Sequence, residues 1–257
     1  MLKRKNEKLR LEHELELQQL ESEKTKAELQ QQAGELEMQA LRAQMNPHFI
    51  FNCLNSINMF ILENNKLQAS EYLSKFSRLV RLILQNSQEA FISLEKELEA
   101  LRLYLELEAL RFEQRFEYKI SVSNEIDTSM VKVPPLIIQP YAENAIWHGL
   151  MHLPPDESGR QAGKKEKGHL EIELYIQEKI LFCNVTDNGV GRKRAEELKS
   201  KSSLTYKSMG MRITADRIAI LQQQEDNNAF ITVDDLVFPD GSPAGTEVVI
   251  KIPLHYD

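Results

Sequence analysis

The chain changes its periodicity once, close to Arg115, and that change sets the architecture it can adopt. Before it, apolar residues recur at helical intervals; after it, they alternate as in strands. From about 46 to 112 the helical pattern is strongly apolar, with Leu73, Phe76, Val80 and Ile83 in one stripe. Ile50, Leu54, Ile57 and Ile61 recur at spacings of four, three and four, which predicts one buried helical face. His48, Asn52 and Asn55 then fall on a neighbouring polar face. A break at Glu63-Asn-Asn-Lys66 predicts a helix-to-helix turn. Ser93, followed by Glu95 and Glu97, has the hydroxyl and early acids of a helix start, and the leucine-rich helix it opens runs to about Phe112. Helices with such wide apolar faces on so short a segment predict that a second chain completes the core, as a four-helix homodimer.

Residues 1 to about 44 contain no proline, one glycine and a dense mixture of Glu, Gln, Lys and Leu, the composition of a long exposed helix. Leu17, Leu20, Ala27, Met38, Leu41 and Met45 fit one heptad register, and Leu29, Ala33, Leu36, Ala40 and Ala43 a second. A lone helix with so little apolar face has nothing else to stabilise it, so the segment reads as a parallel coiled coil leading into the helix of His48. Pro47 has no N–H, and its ring crowds the carbonyl four residues back, which predicts a bend beside His48.

After Arg115, Phe116 to Ser123 alternates, Pro134-Pro135 punctuates, and Leu136 to Leu150 reads as a helix. A loop from His152 to Gly168 precedes a predicted antiparallel pair, His169 to Gln177 and Lys179 to Thr186, with a tight turn at Glu178. A helix from Gly210 to about Gln223 and strands near Phe230 to Val233 and Glu247 to Ile252 follow. This order predicts an α+β sandwich, with helices on one face of a mixed sheet. A net charge of −7 provides no basic field for nucleic acid or an acidic membrane surface. No apolar run approaches the ~20 residues of a membrane-spanning helix. Cys53 and Cys183 sit in apolar runs without metal-ligand spacing and read as buried small hydrophobes.

Three polar clusters interrupt the downstream pattern. Thr186-Asp-Asn-Gly-Val-Gly191 follows a β-rich run; Gly189 and Gly191 permit a tight turn and close approach of a ligand, and an ionised Asp187 is an acceptor for an exocyclic purine amine. An ordinary turn explains Asp-Asn-Gly equally well. Gln139-Pro-Tyr-Ala-Glu-Asn-Ala-Ile-Trp-His-Gly149 places Glu143, Asn144 and His148 within little more than one helical turn. Asn144 offers a carbonyl oxygen to a hard cation such as Mg²⁺ and Glu143 a base, although a polar rim on a packed helix has the same pattern. Ser208-Met-Gly-Met-Arg212 opens a helix where backbone N–H groups suit phosphate, and Gly245-Thr246 adds a hydroxyl donor at the start of the last strand.

Taken in order, Glu-Asn, Asp-x-Gly-x-Gly, a Gly-led helix and Gly-Thr resemble the GHKL-type nucleotide-binding fold shared by gyrase, heat-shock chaperones, histidine kinases and mismatch-repair ATPases. Adding Asn46-Pro-His-Phe-Ile-Phe-Asn52, the chain from about 40 to 257 resembles sensor histidine kinases of the LytS-like type. The resemblance implies a phosphohistidine at His48, formed from the γ-phosphoryl group of ATP and passed to an aspartate of a response regulator. It implies that Asn144 holds Mg²⁺, that Asp187 contacts adenine, that Gly189, Gly191 and Gly210 line the nucleotide loops, and that Thr246 supports the adenine end. Glu143 is the expected base, His148 an expected phosphate neighbour, and Asn52, one turn after His48, either a residue that orients hydrolytic water or equally a polar surface residue. The expected units are a signalling coiled coil over 1–44, dimerisation and phosphotransfer helices over 45–112, and an ATP-binding domain over 113–257. A membrane anchor is expected in a segment upstream of Met1. The chain departs from the family pattern at Ser208 for a glycine, at Trp147 for a basic residue and at Ile213 for an asparagine. With Trp147 in that place, His148, Arg192, Lys193 or the lid lysines are left to meet phosphate charge. The competing expectation is an ATPase or ATP-gated dimerisation module without phosphotransfer, in which His48 is structural.

Overall fold

The computed structural model of the chain describes residues 47–153, 167–201 and 230–254. The helix expected over 1–44, most of the loop between His152 and Gly168, and the helix expected from Gly210 lie outside the described residues. Three helices come first: α1 (Pro47–Leu62), α2 (Lys66–Asn86) and α3 (Leu94–Arg111). The turn between α1 and α2 falls where the sequence predicts it. Asn64 takes a left-handed φ of 59°, and the Asn65 side chain accepts the Gln68 N–H to cap α2. Ser93 caps α3 in the same way, accepting from the Lys96 N–H. Pro47 opens α1, where its missing N–H costs no helical hydrogen bond. The bend predicted beside it involves residues upstream, outside the described residues.

The buried face of α1 differs from the one its spacing predicts. Phe49 and Cys53 are buried, whereas Leu54 and Ile61 are 49% and 59% exposed. The cause is aromatic packing from the neighbouring helices: the Phe49 ring lies 5.1 Å from Tyr104 and 6.5 Å from Phe76, and Phe60 lies 5.6 Å from Tyr72. On α2, likewise, Tyr72, Leu79 and Ile83 are fully buried while Leu73 is not. Helix α3 is buried nearly all round, through Leu94, Leu98, Leu101, Tyr104, Leu105 and Leu107, because it packs on α1 and α2 and also touches the strands that follow. Among the described residues no helix is long and apolar enough to cross a membrane.

Two short strands, β1 (Ile92–Ser93) and β3 (Lys132–Val133), pair antiparallel beside α3. The main sheet contains β2 (Phe116–Val122), β4 (Gly168–Gln177), β5 (Ile180–Asp187), β6 (Phe230–Val237) and β7 (Pro243–Pro253), in the order β2-β4-β5-β7-β6. It is mixed, as expected: β2 and β4 run parallel and the other neighbours antiparallel. Leu170, Ile172 and Leu174 point to the buried face of β4 and His169 and Glu173 to solvent, the alternation of a sheet covered on one side. Glu178 and Lys179, both with positive φ, make the two-residue turn between β4 and β5. Strand β7 starts four residues earlier than predicted, so Gly245 and Thr246 lie inside it. A further helix, α5 (Gly191–Lys201), has too little apolar pattern to be predicted from its sequence.

The helix predicted from Leu136 to Leu150 is divided. It consists of α4 (Gln139–Asn144), a π-helical turn over Ala145–Gly149 and a 3-10 turn over Leu150–His152. Its start is delayed by Glu97 of α3, whose buried carboxylate accepts the N–H groups of Leu136 at 2.7 Å and Ile138 at 3.1 Å. Those donors are thereby satisfied in a loop, with Leu136 at a φ of 56°, before helical geometry begins. The α+β class stands, with the helices gathered at the N-terminal side and the sheet following.

Candidate functional site

Burial alternates along β5 through Leu181, Cys183 and Val185, so Asp187, next in that register, faces inward. It is 5% exposed, paired in register with Thr246 of β7. The backbone N–H of Gly189 donates to its Oδ1 at 2.8 Å, and the backbone N–H of Thr246 also donates to the carboxyl. Those donors favour the anion, but burial wins and pushes the carboxyl up to about 6. Glycine backbone crowds it closely. A Cβ on Gly189 would collide with the backbone of Gly149 and lie 2.7 Å from Oδ1; one on Gly245, at a φ of 129°, would collide with the Asp187 carbonyl. Asn188 has a structural task instead, accepting the His169 N–H at 2.6 Å and donating to the Lys167 carbonyl. Gly191, with a φ of 74°, starts α5. Gly210 lies outside the described residues.

The segment from α4 through the π turn carries Glu143, Asn144, Trp147 and His148, all half-buried, while Tyr141, Ala142, Ala145 and Ile146 fill the core. Asn144 Nδ2 is buried with no hydrogen-bond partner among the described residues. An amide can turn by 180°, so this orphan position can present either its amine or its carbonyl oxygen to a ligand. The Glu143 carboxylate acts on Tyr104 and Glu108 of α3, raising both. It thus bears on the helical side of the segment.

Near the C-terminal end of this segment, beside Trp147, stands His48. Phe49 anchors α1 in the aromatic core and leaves the half-buried His48 ring at its rim. There its edge meets Trp147, with centroids 5.1 Å apart and planes at 62°. Asn52 places Nδ2 3.0 Å from His48 Nδ1, the contact that their four-residue spacing on α1 provides. Arg111, the last residue of α3, lays its guanidinium over the Trp147 ring at 4.5 Å and the Phe112 ring at 4.8 Å. Burial, and secondly the charge of Arg111, hold the His48 imidazole below its ordinary range, so it is neutral at pH 7. Glu108, fully buried, is pushed to about 7 chiefly by burial, against the attraction of Arg111, whose NH1 lies 3.4 Å away.

The predicted residues therefore form two clusters, and one segment joins them. Gly149 abuts Asp187, and Trp147, two residues earlier, abuts His48. Thr246 meets Asp187 through its backbone N–H. Arg192, a candidate for phosphate charge, is instead engaged by both oxygens of Asp235 at 3.0 Å. Sequence reasoning missed Arg111, Glu108 and Gly149. The first two carried no motif, being helix residues of which Arg111 stands 36 positions from Trp147 and 63 from His48. Gly149 was visible at the end of its motif, without a reason for its size.

Residues 36–116 match the family model described as histidine kinase. The chain is 33% identical over 177 residues to the sensor protein LytS of Bacillus cereus, covering 67% of this chain and 27% of that protein. It is 36% identical over 140 residues to the sensor histidine kinase BtsS of Escherichia coli, covering 54% of this chain and 24% of that one. The chain thus spans about a quarter of the length of the curated relatives it matches. A solved mycobacterial sensor histidine kinase, MprB, is similar at a TM-score of 0.42 and 17% identity, over 65% of this chain and 98% of that one, an overlap too loose to carry an argument. With the family match lying over the helix of His48, and its relatives being LytS-type sensors, the chain belongs to the LytS-like histidine kinases.

Proposed function

We propose that the chain is an ATP-dependent autokinase that phosphorylates His48 and passes the phosphoryl group to an aspartate of a response regulator. The observation that carries this reading is the shared segment, which sets Trp147 against His48 and Gly149 against Asp187. A nucleotide whose adenine amine donates to Asp187 would thereby sit beside the same turn that touches the acceptor imidazole. The glycine backbone packed against Asp187 fixes the direction of its buried carboxyl, which supports its reading as the acceptor for that amine. Asn144, with its orphan amide, is the residue that would hold Mg²⁺, and the ion when bound would offset charge on the phosphate oxygens.

In the reaction, a lone pair on neutral His48 forms the N–P bond. The bond from the γ-phosphorus to the bridging oxygen breaks with its electron pair leaving on ADP, and the cationic ring gives up a proton to solvent. Asn52 holds the imidazole by its Nδ1 edge, a closeness that supports its reading as the residue that orients water on a partner's acyl phosphate. Glu143, on the same segment as Asn144, is the base in this reading.

The active form is a homodimer. Phe51, Leu54, Met59, Ile61 and Leu62 of α1, with Leu67 of α2, are exposed apolar side chains on adjacent helices, a surface suited to a second copy. The central test is incubation with γ-labelled ATP and Mg²⁺. An acid-labile, base-stable protein label that disappears in His48→Gln is the expected result. Label that persists in that variant would sink the assignment, and phosphate release without label would replace the autokinase by an ATPase.

A further inference from the structure

The chain has a tryptophan where the family pattern suggests a basic side chain, yet a cation reaches this place from another element. Arg111 comes from the end of α3, and its guanidinium lies over the Trp147 ring, which in turn meets His48 at a steep angle of 62°. Guanidinium, indole and imidazole are thus contiguous. Stacking on aromatic faces suits arginine, because its planar, weakly hydrated cation keeps its N–H edges free for an oxyanion. Two further observations bear on its task. Arg111 meets the Glu108 carboxyl at a long 3.4 Å, the Trp147 side chain also bonds to that carboxyl, and Glu108 Oε2 has no hydrogen-bond partner among the described residues. That is weak pairing for a cation which is itself only 16% exposed. Meanwhile Arg192 is held by Asp235 through two hydrogen bonds, so it is committed elsewhere.

We propose that Arg111 is the residue that binds the phosphoryl group at His48. This rests on the autokinase reading above. The chemistry is that of an arginine fork toward a phosphoryl dianion: two N–H groups donate to two equatorial oxygens as the N–P bond forms. Trp147 is the platform that holds the guanidinium beside the ring while excluding water from one side. The weak hold of Glu108 orients the arginine and lets it turn toward the stronger acceptor when it arrives.

The test compares wild type, R111Q, R111K and the double variant E108Q/R111Q for initial rate of histidine labelling from γ-labelled ATP, alongside calorimetric affinities for ATP and ADP. The expected result is a loss of labelling of about 10- to 100-fold in R111Q, partial recovery in R111K, and an equal loss in the double variant. The double variant separates phosphoryl binding from neutralisation of a buried carboxylate, because it has neither charge. Labelling restored in the double variant would assign Arg111 to Glu108 alone and overturn the proposal, as would wild-type labelling in R111Q. Unchanged nucleotide affinity places the contact on the transferred group; weaker binding of ATP but not ADP places it on the γ-phosphate before transfer, and both support the proposal. Should the variants fail to fold, phenylglyoxal modification of the wild-type protein gives the answer. Arg111 is expected to be protected several-fold once His48 is phosphorylated, and equal modification in both states would refute the contact. A wild-type protein that takes no label at all instead refutes the autokinase reading.

Discussion

Replacing Asp187 by asparagine should move stability and nucleotide affinity in opposite directions above neutral pH. The wild-type carboxyl is raised from 3.8 to about 6 by burial. Two units, at 1.36 kcal/mol each, correspond to about 3 kcal/mol spent in keeping the folded anion out of water. The sign follows from which state releases its proton first. The unfolded chain ionises at about 4 and the folded one only at about 6, so folding loses stability progressively over that window and by a constant amount above it. Asparagine never ionises and so avoids the penalty. It retains one oxygen for the Gly189 N–H but offers an amine in place of the other acceptor, at a cost of about 1–2 kcal/mol. The net expectation is a variant more stable than wild type by about 1–2 kcal/mol at pH 8 and less stable by a similar amount at pH 4. Urea titrations of the nucleotide-free proteins at the two pH values measure this. ATP binding should meanwhile weaken by about 10- to 100-fold, from loss of a charge-assisted acceptor. A stability difference of the same sign at both pH values would refute the account of the buried charge. Unchanged ATP affinity would refute the adenine contact.

Two other expectations concern parts of the molecule outside the acceptor cluster. Glu97→Ala removes the acceptor for the N–H groups of Leu136 and Ile138 and should destabilise the protein by about 3–5 kcal/mol, with Glu97→Gln recovering part of it; equal unfolding midpoints for Ala and wild type would show that these bonds are dispensable. Charges placed in the exposed apolar surface by the pair Leu54→Glu and Met59→Glu should convert a dimer to a monomer in sedimentation velocity with the fold unchanged by circular dichroism. Sedimentation identical to wild type would place the dimer contact elsewhere.

Local physics made several features legible in the residues alone. Ser93 caps a helix because a short side-chain oxygen facing free N–H groups needs no tertiary partner. The alternation of β4 and β5 and the close of β5 at Asp187 followed from the period of two and the glycines beyond it. The pairing of His48 with Asn52 required only the helical repeat. Other features depend on what lies across space. Periodicity shows that α1 has apolar residues on more than one side, but whether Phe49 and Cys53 or Leu54 and Ile61 turn inward is decided by Tyr72, Phe76 and Tyr104 on two other helices. The divided helix after Leu136 follows from Glu97, 39 residues earlier, which satisfies backbone donors that a helix would otherwise use. The cluster of Arg111, Trp147 and His48 joins residues from three elements, each unexceptional in its own stretch of sequence. Composition and period act between neighbours along the chain and are read directly. Burial of a charge, the choice between two apolar faces and the meeting of a cation with an imidazole arise between elements brought together by folding, so they are found only in the tertiary structure.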